Sequence, residues 1–98
     1  MSVNFRDQFR TSRERECRQL SSALDMLKRR AQIMEQLDDP QIQESIGSLS
    51  AKRDELRQKL ETLGQTPAGE WEDLGRSIDQ DIATLEGATR EALASLGR

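Results

Sequence analysis

The chain has 98 residues, 34% charged and 34% apolar, with 15 Lys and Arg against 18 Asp and Glu for a net charge of −3. This is the length of one small domain, more charged and less apolar than usual, and no apolar run approaches the roughly 20 residues that cross a bilayer. With no His, no Tyr and a single Cys, the composition excludes histidine acid–base pairs, Ser-His triads, HExxH zinc sites and an internal disulfide.

The opening Met1-Ser2-Val3-Asn4 leads into alternating charge rather than the apolar core of a signal peptide. A lone Cys17 suits a reducing compartment. A cytoplasmic protein is expected. Residues 1–11 read as an N-terminal arm in which Phe5 and Phe9, spaced i,i+4, form one apolar knob if the segment is helical; the knob either folds over the open bundle end onto Trp71 or docks a second copy or another protein. Thr11-Ser12-Arg13-Glu14 matches a capping box. A fresh helix starting there would hinge the arm against a bundle spanning 12–98.

The first bundle helix is expected over about 12–38, with an apolar seam of Cys17, Leu20, Leu24, Leu27, Ala31 and Met34. Asp39 then suits an N-cap and Pro40 the first helical position. The second helix, over about 40–63, reads Ile42, Ile46, Leu49, Arg53, Leu56, Leu60 and Leu63. Gly64 suits a left-handed C′ position, Thr66 a cap and Pro67 the opening of a third helix over about 67–97. Its seam is Trp71, Leu74, Ile78, Asp81 with Ile82 beside it, Leu85, Ala88 and Ala92. The spacing of three and four throughout is that of a/d seams.

Turns this short make sequential helices antiparallel neighbours, so the fold class is all-α, an antiparallel three-helix bundle. Folding about the two turns sets Leu63 by Trp71, Leu56 by Ile78, Cys17 by Leu63 and Leu24 by Leu56. A shift of seven matches nearly as well, and the turn lengths select the register. One match lies outside apolar patterning: Arg53 and Asp81, the charged seam residues of their helices, fall in one layer with Leu27. They are expected to pair and set the register. The alternative is a long helical hairpin that dimerises, because Met26, Ile33 and Leu37 on the first helix either widen the core stripe or face a second chain. Ile82, Leu93 and Leu96 on the third helix carry the same ambiguity.

The stretches Ala51-Lys52-Arg53-Asp54-Glu55-Leu56, Lys59-Leu60 and Gly69-Glu70-Trp71-Glu72-Asp73-Leu74 resemble a group of small bacterial coiled-coil proteins rich in Ala, Glu and Lys. The similarity covers roughly residues 49 to 96. The pattern here has no alanine between Glu70 and Trp71, carries Ile82 where a second tryptophan often sits, and has an Arg-rich rather than Lys-rich N-terminal half. The resemblance implies a small cytoplasmic helical protein with a loose connection to stress responses and no catalytic residues to carry over.

Charge is segregated: residues 1–31 carry +4, residues 32–64 carry −3 and residues 65–98 carry −4. A basic first helix packed beside acidic ones explains this, although Arg6, Arg10, Arg13, Arg15, Arg18 and Lys28-Arg29-Arg30 also suit an anionic ligand. Trp71 reads as a plug at one end of the core, and Cys17 as an inert buried thiol. Glu70, Glu72 and Asp73 complement the dipole of the third helix without a metal. The function expected is therefore that of a non-enzymatic interaction protein with no cofactor, metal or small-molecule substrate. Its partner would be a second copy or one helical protein, through Phe5, Phe9, Met26, Ile33, Leu37 or Trp71. A nucleic-acid-associated protein using the basic face of the first helix is the alternative; membrane binding is not expected.

Overall fold

The computed structural model describes residues 5–67 and 69–96. These form three helices, α1 (Phe5–Ile33), α2 (Pro40–Gln65) and α3 (Glu72–Ser95), with no strand among the described residues. Each helix packs against both others, in a rod of 52 × 21 × 17 Å. The protein is an antiparallel three-helix bundle. The core is the set of seam residues: Leu27, Leu56, Leu63 and Ile78 are wholly buried, and Cys17, Leu24, Leu49, Leu60 and Leu85 nearly so. Leu20, Ile82 and Ala92 complete the cluster, with Leu93 and Leu96 packed against it.

The first turn differs from expectation at its start. α1 stops at Ile33, five residues before the expected end at Asp38. Gln36 N–H donates to Ala31 C=O at 2.7 Å and Glu35 N–H to Gln32 C=O at 3.1 Å, while Glu35 takes a left-handed φ of 56°. This is a Schellman ending with glutamate where glycine is preferred, and a glutamate there carries no glycine signal. Met34 consequently leaves the seam and is 44% exposed. α2 opens as expected: Asp39 Oδ1 accepts from Gln41 N–H at 2.9 Å, and Pro40 follows the cap.

The second turn corrects two expectations. α2 runs through Gly64 to Gln65 and is closed by Thr66. Gly64 lies within the helix beneath the Arg10 guanidinium, and a Cβ there would fall 2.7 Å from Arg10 Cζ. Pro67 does not open the third helix. Thr66 turns its hydroxyl back to Thr62 C=O, its own carbonyl accepts from Arg6, and α3 begins at Glu72.

The N-terminal segment is likewise no separate arm. α1 is continuous from Phe5 with no break at Thr11 or Ser12: Arg6 donates to the Thr66 carbonyl in the second turn, Phe9 packs on Trp71 just before α3, and Arg13 pairs with Asp79 on α3. The early end of α1 and the longer first turn displace that helix along α2 from the expected register. Cys17 accordingly lines a depression with Arg57 and Leu60, and Arg57 reaches Ser21 at 3.2 Å. The hydrophobic pattern tolerates such a slip, so the pattern alone could not exclude it.

Candidate interaction site

At the end of the bundle holding the second turn, the surface is closed. Phe9 lies against Trp71 with ring centroids 5.4 Å apart and planes tilted by 47°. The Arg13 guanidinium also lies over the Phe9 ring, with Cζ 4.2 Å from its centroid. Arg13 also grips Asp79, with Nε at 2.6 Å from Oδ1 and Nη2 at 3.5 Å from Oδ2. Its hydrogen bond to Asp79 raises the guanidinium pKa, which keeps the arginine of this tie between α1 and α3 charged. Gly75 lies close beneath both rings: a Cβ there would sit 3.3 Å from the Trp71 ring and 3.4 Å from Phe9, a tight contact. A glycine within a helical pattern signals such close approach, and the sequence reading missed it. Phe9 and Trp71 thus join each other, while Phe5 points away and is 77% exposed.

Midway along the bundle lies a buried charge. Asp81, with a side chain only 8% exposed, accepts from Lys59 Nζ at 2.6 Å and pairs with Lys52 Nζ at 2.9 Å. Lys59 also donates to Ser77 Oγ at 2.7 Å. The expected Arg53–Asp81 pair is not formed. Arg53 turns to its neighbour Asp54 and stands on the α1 side of α2, close enough to act on the Cys17 thiol. The cations that pair with Asp81 are instead Lys52 and Lys59, seven apart on the α3 edge of α2, which flank the carboxylate. Burial pushes the Asp81 carboxyl up, but the hydrogen bonds and charges of Lys59 and Lys52 outweigh it and hold the pKa below the ordinary 3.8. Burial pushes the Cys17 thiol up from 9.0 against the nearby arginines, the setting of an inert thiol.

The opposite end is open. Met26 is 57% and Ile33 73% exposed. Seven residues apart, they share the side of α1 directly away from its buried stripe of Cys17, Leu24 and Ala31. Met34 and Leu37 extend the exposed apolar surface around the turn. Five cations of α1, Arg15, Arg18, Lys28, Arg29 and Arg30, form no ion pair among the described residues, in contrast to Arg10 and Arg13. Across the molecule, between the start of α2 and the end of α3, runs a groove of about 680 Å³. Ile42, Leu49, Ala88 and Ala92 floor it, and Glu44, Glu91 and Asp39 stand at its edge.

Among the described residues no group of carboxylates and thiol could hold a metal ion, and no helix is long and apolar enough to cross a membrane. No protein-family model, curated protein or solved structure matches the chain.

Proposed function

We propose that this is a non-enzymatic interaction protein that acts by helix-mediated association, in the first place with itself. The observation that carries the reading is the pair Met26 and Ile33, exposed together on a helix face that none of the described residues covers. Water-exposed apolar side chains of this size gain about 1.5–3 kcal/mol each when fully buried, enough together to change an association constant by a factor of a hundred or more. A bacterial, stress-related setting is part of the proposal, on the resemblance of Ala51–Leu60 and Gly69–Leu74 alone. The test is Met26→Ser with Ile33→Ser, compared with the unmodified chain by sedimentation velocity. Association should fall while helical content holds; association that survives unchanged would count against the reading.

A second reading has its own support in the five unpaired cations of α1. They suit an anionic polymer such as DNA or RNA. If all five met phosphates, affinity for duplex DNA would drop about 500-fold between roughly 50 and 200 mM salt. Fluorescence anisotropy with a labelled oligonucleotide measures this directly, and no binding at the lower salt would dismiss it.

A further inference from the structure

We propose that the Met26–Ile33 stripe of α1 docks into the α2/α3 groove of a second copy, so that copies associate head to tail. The inference rests on the self-association reading and names the surface that receives the helix.

Three features of the molecule match the two faces to each other. The first is length. Met26 to Ile33 spans about 10 Å of helix at 1.5 Å per residue, and the groove, lined from Gln41 to Leu49 and from Ala88 to Ser95, is about 10–12 Å long by the same rise. The second is polarity. The stripe offers a thioether and a branched alkyl side chain in water, and the groove floor offers Ile42, Leu49, Ala88 and Ala92 beneath a polar rim. A helix laid between two helices in this way repeats the packing that α1 makes with α2 and α3 inside each copy.

The third is charge. Arg29 and Arg30 flank the stripe, and neither has an ion pair among the described residues. Glu44 and Glu91 edge the groove, equally unpaired, and no Lys or Arg lines it. The opposite signs attract between copies. Two α1 faces brought together would instead set arginine against arginine, which disfavours a symmetric α1–α1 dimer. No α1 residue lines the groove, which faces away from that helix. The contact therefore joins two different surfaces on opposite sides of the rod, and such a heterologous contact leaves both ends of every pair free for further copies.

The experiment is a reciprocal charge swap on the full chain, read by sedimentation velocity with circular dichroism as the check on folding. One variant carries Arg29→Glu and Arg30→Glu; the other carries Glu44→Arg and Glu91→Arg. In the first, an acidic stripe meets an acidic groove; in the second, a basic stripe meets a basic groove. Each alone should associate at least about tenfold more weakly than the unmodified chain, as like charges face each other. An equimolar mixture should recover association, because each stripe then finds a groove of opposite charge. If the unmodified chain associates and the mixture does not recover, the groove is not the receiving surface, while association by another face stands. If either variant alone associates as strongly as the unmodified chain, the docking is wrong. Undiminished association of the Met26→Ser, Ile33→Ser chain would instead overturn the reading on which this docking rests.

Discussion

Replacing Phe9 by alanine asks whether the first turns of α1 belong to the bundle. Phe9 is half-buried, wedged between the Trp71 ring and the Arg13 guanidinium. Full burial of a phenylalanine is worth about 1.5–3 kcal/mol, of which partial burial secures roughly half. The aromatic pair adds about 0.5–1.5 kcal/mol and the cation–π contact about 0.5–1 kcal/mol. Phe9→Ala should therefore lower the stability by about 2–4 kcal/mol, or about 10–30 °C in Tm for a domain of this size. Phe5, 77% exposed, should lose within about 0.5 kcal/mol on the same substitution. Urea unfolding gives the free energies, and Trp71 emission, shifting to the red as the indole loses its cover, reports the same event locally. No loss at Phe9 would mean that α1 is not docked before Arg13, and an equal, large loss at Phe5 would mean that Phe5 too is packed into the bundle rather than exposed.

Three other perturbations probe the rest of the bundle. Leu56 is wholly buried at mid-core, so Leu56→Ala should cost about 2–5 kcal/mol in urea unfolding. Glu35→Gly should stabilise by about 0.5–1 kcal/mol, because the left-handed φ of 56° strains a glutamate and not a glycine; thermal unfolding measures it. Asp81 has a folded pKa below its ordinary 3.8, so its contribution is complete above that pH and fades as pH falls through the folded pKa. Asp81→Asn should thus cost about 1–2 kcal/mol at neutral pH, moderated by the partly open lysine ends, and the gap to the unmodified chain should close below about pH 4 in acid titration.

Much of the fold was legible because the signals were local. Three-and-four spacing gave the helices, and Asp39-Pro40 marked the start of α2. The misreadings came where tertiary contacts overrode a local cue. Gly64 looked like a helix stop, but α2 continues through it to Gln65, and the capping box at Thr11-Ser12 yields to the contacts of Phe9 and Arg13. The α1 register slipped because Glu35 ends the helix without a glycine to announce it. For the candidate site, Met26, Ile33 and Leu37 were visible as apolar residues off the seam. The groove was not, since its walls come from α2 and α3 segments brought together only by folding.

Sedimentation velocity of the unmodified chain across a concentration series, at low and at high salt, tests helix-mediated self-association most directly. The account predicts an average mass that rises above the 11.2 kDa of one chain as concentration increases, and rises less at high salt, where attraction between exposed opposite charges is screened. A mass fixed at 11.2 kDa over the whole series would contradict it.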